Sequence, residues 1–439
     1  MKIKSIKVEE LFLQFNYTLD FEKQGDINII SGPNGFGKST LLRMIYNLFA
    51  LNFYYFFQIP FKSITYVFEN DFTITIKKHK IEDSLTSNIS TDVSEKSDEI
   101  SSGILYVSSN KLKTLVVLQK HVIEEKISKL GYKQQDAEIW VNALGDTCFH
   151  VSDILNKQPD ITEIFFKEES NFLMTLFSSN ILFIKDNRLF YSSFEKTKNS
   201  TVYLPMEKPV VDRIASELKM KLSDVKKILA EKFQEAQKNI IYSITQGKIH
   251  TFTKEEYTQR VEILNTIFFK LNSFGILEKI DIPLNWNENN AKYLSITLLE
   301  YEKAIQESKE MLDKLALFQM ILSKSEFVNK QILINESFGF KFVCEKENYF
   351  IPNRALSSGE QHKIIILYEL IFKTSRGMMV LIDEPELSNH VIWQLSFIDE
   401  IKQVSEKLDL QFIIATHSPQ IIHERWELVT DLFKINNQN

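Results

Sequence analysis

Alternating and continuous apolar runs divide the chain into segments of different predicted structure. Apolar and polar residues alternate over much of residues 1–85, for example at 3–8 and 72–76, which is typical of half-buried strands. Continuous apolar runs end at Ser31, at Asp383 and at Ala415. Such runs are typical of parallel strands that are buried on both faces. The pattern therefore predicts a mixed sheet with parallel central strands.

A helical pattern replaces these strand patterns in the middle of the chain. Apolar residues recur three and four positions apart between residues 211 and 233, and again between 294 and 315. Between the two stripes lie Gly275, Pro283 and an Asn-rich turn at residues 285–290. The spacing predicts an antiparallel helical hairpin with additions, which is too short for a long coiled-coil rod. This arm either packs as a subdomain or protrudes to contact a partner.

The changes of pattern predict an α/β fold in three parts: residues 1–205, 206–335 and 336–439. The first and third parts carry the strands, and the second is the helical arm. A variable insertion at residues 83–180 begins with a Ser-, Thr- and Asp-rich segment at 83–102, which we expect to be an exposed loop.

Smaller patterns predict individual elements. Residues 104–107 and 181–184 are predicted strands, and residues 171–178 a helix. The apolar run 48–57 is predicted to be the buried end of the helix that starts near residue 41. It contains Asn52 and is too short to span a bilayer. Residues 428–435 are predicted to be the last strand.

The segment GPNGFGKST, residues 32–40, joins a buried strand to a helix and matches the pattern G-x-x-x-x-G-K-[ST]. Its glycines allow backbone N–H groups to surround phosphates, Lys38 supplies positive charge, and the Ser39 hydroxyl is a predicted Mg²⁺ ligand. The sequence thus predicts a nucleotide-binding loop. Its predicted ligand-binding residues are Asn34, Gly35, Phe36, Gly37, Lys38, Ser39 and Thr40.

Polar residues follow both of the later buried strands. Asp383 and Glu384 end the first, and Asp383 is a predicted Mg²⁺ ligand while Glu384 can polarise an attacking water. His417 follows the second strand, where it can reach the terminal phosphate or orient that water. Because ligands collect at the carboxyl ends of parallel strands, these residues are expected at one site.

A second phosphate-binding segment is predicted at LSSGEQ, residues 356–361, where hydroxyl groups and backbone amides lie at the start of a predicted helix. We expect that a phosphate bound to the loop at residues 32–40 does not reach this segment of the same chain. The segment therefore favours two copies that close face to face on ATP. Its predicted ligand-binding residues are Ser357, Ser358, Gly359 and Glu360.

Composition narrows the choice of partners. The net charge of 52 − 58 = −6 argues against bulk affinity for nucleic acid, without excluding a local basic groove. Lys77, Lys78, His79 and Lys80 form one basic cluster, which we interpret as the solvated edge of a β-hairpin. The two cysteines have no metal-ligand spacing, and the chain starts directly in a strand without a signal peptide, so a cytoplasmic protein without membrane contact is expected.

The motifs GPNGFGKST, LSSGEQ, VLIDEP and ATHS, in this order, resemble the head of ABC-type ATPases. The resemblance implies that Ser357 and Gly359 contact the γ-phosphate bound to the opposite subunit. It also implies that Glu384 is the catalytic base and His417 the switch histidine. Two positions depart from the pattern, since Ser358 stands where Gly is usual and His390 where many heads have the D-loop Asp. No Q-loop glutamine is evident, with Asn187 and Gln119 as candidates.

DEPELS, together with residues 181–189, resembles a narrower group within the SMC-like and AAA ATPases. The group contains the overcoming-lysogeny-defect proteins and the ATPase subunits of the PARIS and Septu anti-phage systems. The resemblance implies a slow or regulated ATPase that uses ATP and Mg²⁺ in a head-to-tail homodimer or larger ring. It further implies control of a separate Toprim-like or HNH-like nuclease or toxin subunit, with a phage protein as trigger.

No nuclease pattern follows residue 435, so such an effector is expected in trans. Two other functions stay open at this point. One is an SMC-like ATPase of DNA repair or chromosome maintenance, and the other is an ATP-gated scaffold with little turnover.

Overall fold

A computed structural model describes most of the chain, and the following account is confined to those residues. They are residues 2–78, 103–110, 116–134, 139–141, 148–150, 181–186, 189–196, 203–246, 251–278, 280, 282, 285–324, 327, 329–347, 349–387 and 391–438. The predicted loop at 83–102 and the predicted helix at 171–178 lie outside them.

The chain divides into two compact units. The first consists of Met1–Asp186, Lys196–Leu204 and Thr374–Asn439, and the second of Asn187–Glu195 and Pro205–Lys373. The sequence-based boundary at residues 335/336 falls inside the second unit. The α/β class with an inserted helical arm is confirmed. None of the described helices combines the length and apolar character that crossing a bilayer requires.

A five-stranded sheet forms one layer of the first unit, in the order β11-β17-β18-β3-β19. Every neighbouring pair is parallel. Residues of β17 and β18 are buried throughout, as their continuous apolar runs predicted. The strands are β3 (Ile27–Ser31), β11 (Ile181–Ile184), β17 (Met379–Asp383), β18 (Gln411–Thr416) and β19 (Val429–Asp431).

A six-stranded antiparallel sheet forms the other layer, in the order β2-β1-β4-β5-β6-β7. Its inward residues, such as Ile64, share one apolar core with Leu42 of the first helix and Leu381 of β17. The strands are β1 (Ile3–Leu11), β2 (Phe15–Asp20), β4 (Ser63–Phe68), β5 (Thr73–Lys78), β6 (Ile104–Ser109) and β7 (Val116–Gln119). A small sheet adds β8 (Lys133–Gln134), β9 (Ile139–Val141) and β10 (Cys148–His150).

Helices of the first unit connect and cover these sheets. They are α1 (Lys38–Phe49), α2 (Tyr54–Gln58), α3 (Lys120–Lys129), α9 (Val391–Leu408), α10 (Pro419–Ile422) and α11 (Leu432–Gln438).

The second unit is mainly helical. Its helices are α4 (Val210–Gln246), α5 (Lys254–Ser273), α6 (Ala291–Gln306), α7 (Lys309–Lys324) and α8 (Ser358–Phe372). Two paired strands, β12 (Phe190–Lys196) and β13 (Tyr203–Pro209), lie mostly within this unit. The unit also contains the sheet of β14 (Lys330–Asn335), β15 (Gly339–Cys344) and β16 (Phe350–Ile351).

Aromatic and backbone contacts join the helices of the second unit. Phe233, Phe268 and Tyr301, one each from α4, α5 and α6, meet in a cluster of tilted and edge-on rings. Where α4 meets β15, a Cβ on Gly339 would lie 1.9 Å from the backbone oxygen of Ala215. Only glycine permits this approach, so the position anchors α4 against the sheet.

Three predicted elements need correction. The run 48–57 is buried, but α1 ends at Phe49 and a separate helix, α2, begins at Tyr54. The predicted last strand at 428–435 is only three residues long, and α11 starts at Leu432. The stripe between residues 294 and 315 is two helices, because α6 ends at Gln306 and α7 starts at Lys309. Apolar residues continue across each of these boundaries, so their spacing could not show where one element ends and the next begins.

The interpretation of the basic cluster at residues 77–80 as a solvated hairpin edge is wrong for Lys78, although Lys77 is exposed as expected. β5 lies between β4 and β6, and the Lys78 amine donates to the carbonyl oxygens of Phe57 at 3.0 Å and Ile59 at 2.5 Å. Burial, together with the neighbouring charge of Lys120, lowers the pKa of Lys78 to about 8. His79 and Lys80 lie outside the described residues.

The lowered pKa of this partly buried amine makes the stability of the fold depend on pH. The unfolded chain keeps the proton of Lys78 up to its ordinary pKa of 10.5, whereas the folded chain releases it near 8. Between these values the unfolded state binds more protons, so the free energy of unfolding should rise with pH. Urea unfolding of wild type and Lys78→Met across this interval should show a smaller rise in the variant. Lys77→Met, at an exposed neighbour, should keep the wild-type slope, and equal slopes in all three proteins would contradict the prediction.

Candidate active site

The loop at residues 32–40 makes a tight turn from β3 into α1. Gly35 and Gly37 adopt φ values of +87° and +85°, in the left-handed region that favours glycine. A Cβ on Gly37 would also lie 2.9 Å from Leu11 Cδ2. The glycines are therefore required by the turn, which leaves the loop backbone and the start of α1 facing the same space.

Lys38 lies inside this loop. Its side chain is only 5% exposed, and its amine donates to the carbonyl oxygens of Gly32 at 2.9 Å and Pro33 at 3.4 Å. The same nitrogen lies 3.7 Å from Glu384 Oε1. The positive charge is thus held where the turn closes, next to the acid predicted to act in catalysis.

Ser39 and Asp383 meet although they lie far apart in the sequence. The Ser39 hydroxyl donates to Asp383 Oδ1 at 2.9 Å, and Asp383 is buried at the end of β17. A hydroxyl and a carboxylate provide the hard oxygen ligands that Mg²⁺ prefers. The two residues fit the predicted metal site by type and by proximity.

Glu384 occupies a strained position directly after β17. Its φ of +46° is unusual for a residue other than glycine, and its N–H donates to the Ala415 carbonyl at 2.9 Å. Glu384 Oε2 lies 2.5 Å from His417 Nδ1. Burial and the neighbouring charge of Glu386 raise the pKa of Glu384, while His417 opposes the shift. The structure therefore brings the predicted base and the predicted switch histidine into direct contact.

Glu386 is a member of this cluster that the sequence analysis did not select. It is buried, and its Oε1 accepts hydrogen bonds from the Thr416 hydroxyl and from the N–H groups of His417 and Ser418. An acid two residues after Glu384 looks like an ordinary polar residue in a turn. Only the parallel pairing of β17 with β18 shows that it reaches the histidine segment.

The LSSGEQ segment lies in the second unit, at the start of α8. Ser357 caps this helix in a reciprocal arrangement with Glu360. Glu360 also pairs with Lys330 at 2.7 Å, so its carboxylate already has two internal partners. Ser357 and Ser358 are exposed, and Gly359 is half-buried. Both serines therefore lie on the surface, although the Ser357 hydroxyl already bonds to Glu360.

The remaining predicted residues differ in their environment. Asn34 is exposed on the loop and Thr40 is half-buried in α1. Phe36 packs against Phe15 and Phe433, which indicates that its ring holds the loop in place.

The candidates for the D-loop and Q-loop have less structural support. His390 and Asn187 lie outside the described residues. Gln119 ends β7, at the edge of the antiparallel sheet.

Comparisons with known proteins give one assignment by family. A family model described as the AAA ATPase domain matches residues 1–422. No match was found among curated proteins.

Solved structures of SMC heads resemble the chain with low TM-scores and low sequence identity. An Smc head with an extended coiled coil, bound to the C-terminal domain of ScpA, from Pyrococcus furiosus is 14% identical with a TM-score of 0.34, covering 96% of this chain and 90% of that one. An SmcHead bound to the C-winged helix domain of ScpA is 11% identical with a TM-score of 0.37, covering 96% and 92%. The SMC head domain from Thermotoga maritima is 12% identical with a TM-score of 0.33, covering 96% and 91%.

Proposed function

The chain belongs to the AAA ATPase domain family, and from this premise we propose that it hydrolyses ATP at the carboxyl edge of its parallel sheet. The observation that carries the proposal is the meeting of three groups at that edge. These groups are Lys38 in the phosphate loop, the Ser39–Asp383 contact and the Glu384–His417 contact. The fold is an ABC-type P-loop ATPase head with an inserted helical arm.

Each group has a task that its position suits. The loop backbone and Lys38 hold the β- and γ-phosphates, because both present positive potential to the same space. Ser39 and Asp383 would hold Mg²⁺, which would neutralise charge on the phosphates. Glu384 takes the proton of the attacking water, and its raised pKa favours that transfer. His417 orients Glu384 through their direct contact.

We propose further that the site is completed by a second copy of the chain. Ser357 and Gly359, at the N-terminus of α8, would contact the γ-phosphate bound to the opposite subunit of a head-to-tail dimer. The resemblance of LSSGEQ to ABC signatures supports this, as does the exposure of Ser357. Glu360 is better suited to support the signature, because it caps the helix and pairs with Lys330.

Turnover at different protein concentrations tests this composite site. If two chains form each site, specific activity should rise with protein concentration and level off once dimers predominate. Phosphate release at saturating ATP and Mg²⁺, measured over about a hundredfold range of protein, gives the curve. Constant specific activity, with a monomer at every concentration by light scattering, would exclude a site shared between chains.

For the biological role, we propose an ATPase subunit of an anti-phage complex that controls a separate nuclease or toxin. The support is the resemblance of DEPELS to the overcoming-lysogeny-defect, PARIS and Septu group.

The length of the helical arm bears on the alternative function, an SMC-like ATPase of DNA repair or chromosome maintenance. The longest helix in the described part of the chain is Val210–Gln246, which at 1.5 Å per residue spans about 55 Å. Such a helix suits a compact arm better than a long rod.

A further inference from the structure

Glu386 concentrates its hydrogen bonds on one short turn. Its Oε1 accepts from the Thr416 hydroxyl at 2.6 Å, the His417 N–H at 2.9 Å and the Ser418 N–H at 3.1 Å. Its side chain is only 6% exposed, so water competes little for these bonds. The other oxygen, Oε2, is buried without a hydrogen-bond partner among the described residues. The hydrogen bonds that Glu386 accepts therefore all come from residues 416–418.

The His417 ring has little packing around it, since its side chain is 49% exposed. The backbone of His417 is held on both sides. Glu386 accepts hydrogen bonds from the N–H groups of His417 and Ser418, and the Ser418 side chain caps α10. Nδ1 of the fixed ring lies 2.5 Å from Glu384 Oε2 and 3.2 Å from Glu386 Oε1.

We infer that Glu386 is a positioning residue, which holds the turn at residues 416–418 so that the His417 ring stays against Glu384. The inference rests on the proposed ATPase function for its consequence in catalysis. It ties the end of β17 to the end of β18 through one buried carboxylate. A misplacement of about 1 Å at a catalytic group can cost a factor of about 100 in rate, so this link would have a large effect.

Two other roles for Glu386 make different predictions. As a proton acceptor or a metal ligand with Glu384 and His417, it would need its negative charge. As a residue that only stabilises the fold, it would affect unfolding without a specific effect on turnover. Glu386→Gln keeps an acceptor oxygen and loses the charge, and Glu386→Ala loses both, so the pair of variants separates these cases.

The experiment compares Glu386→Ala, Glu386→Gln and Thr416→Val in the full chain, with Glu300→Ala as control. Glu300 is a carboxylate of equal burial in the second unit, whereas Lys38, Glu384 and His417 belong to the first. kcat and KM for ATP are measured, together with hydrogen exchange at the His417 and Ser418 amides. Hydrogen exchange needs no turnover, so it tests the turn even if the proposed ATPase activity fails.

We expect Glu386→Ala to lower kcat about 100-fold with KM changed by less than about threefold, and to speed exchange at both amides. Glu386→Gln should retain most of kcat and most of the protection. Thr416→Val removes one donor and should give a smaller loss of the same kind, which decides the question if Glu386→Ala does not fold. Glu300→Ala should keep the wild-type kcat.

Three results would overturn the inference. Equal loss of kcat in Glu386→Gln and Glu386→Ala, with amide protection retained in the Gln variant, would assign a charge-dependent role. Unchanged exchange at His417 and Ser418 in Glu386→Ala would show that the carboxylate does not hold the turn. Faster exchange with an unchanged kcat would show that the turn does not matter for hydrolysis.

Discussion

Replacing Glu384 by Gln is expected to lower ATP turnover by about 100- to 10,000-fold while leaving ATP binding nearly unchanged. The amide cannot accept the proton of the attacking water. It still fits beside Lys38 and His417, because Gln has the size of Glu. Lys38→Ala should instead lose both binding and turnover, since it removes the buried amine from inside the phosphate loop. Phosphate release and binding of a fluorescent ATP analogue measure the two effects.

Glu424→Gln provides a matched control, because it makes the same change at an exposed position of the first unit. It should retain wild-type turnover. Wild-type turnover in Glu384→Gln would rule out Glu384 as the base and would redirect attention to Glu386.

The same pair of variants separates an enzyme from an ATP-gated scaffold. In cells that carry the neighbouring genes, plaque counts measure protection against phage. If hydrolysis drives protection, Glu384→Gln and Lys38→Ala should both fail to protect. If assembly in the ATP-bound form suffices, only Lys38→Ala should fail. Equal plaque counts with and without the wild-type gene would contradict the defence role itself.

Replacing Ser357 by Arg is expected to abolish turnover while each chain still binds ATP. The bulky side chain would block the N-terminus of α8, where the second subunit's phosphate is proposed to bind. Mixing this variant with Lys38→Ala should restore activity. A mixed dimer contains one site with both Lys38 and Ser357 intact, as a head-to-tail two-fold arrangement requires. Turnover measured against the mixing ratio should peak near equal amounts.

Loss of the helix cap is a competing explanation for an inactive Ser357→Arg protein. Losing a serine cap costs about 0.5–2 kcal/mol of stability. Ser357→Asp controls for this, because Asp caps helices well but repels a phosphate. It should still be inactive while losing less stability than Ser357→Arg, because Asp keeps the bond from the Glu360 N–H but repels the Glu360 carboxylate to which the serine hydroxyl donates. Absence of rescue in the mixture, with both variants folded, would argue against a site built from two chains.

Sequence patterns predicted which of the proposed catalytic residues lie together better than they predicted the residues that hold them in place. Continuous apolar runs with polar residues directly after them predicted the phosphate loop and the ends of β17 and β18. They also predicted that Ser39, Asp383, Glu384 and His417 lie at one site. In a parallel sheet the strand ends meet, so one-dimensional order suffices to bring these residues together.

Other features depended on distant parts of the chain and could not be read locally. We predicted that Lys78 is solvated because its sequence neighbours are basic. In the structure its amine is partly buried and donates to the carbonyl oxygens of residues 57 and 59. Glu386 belongs to the DEPELS motif, but its contacts could not be predicted because its partners lie at and directly after the end of β18. The break between α6 and α7 was hidden because the apolar spacing continues across it.

The pairing of β3 has a consequence for synthesis of the chain. β3 carries the phosphate loop, yet both of its neighbours, β18 and β19, come from residues 411–416 and 429–431. At 5–20 residues per second, a ribosome needs about 20 s or longer to make the intervening chain. During that time the backbone N–H and C=O groups of β3 lack these partner strands, which is a state that favours aggregation. A nascent chain of this protein is thus expected to depend on chaperones until its last strands emerge.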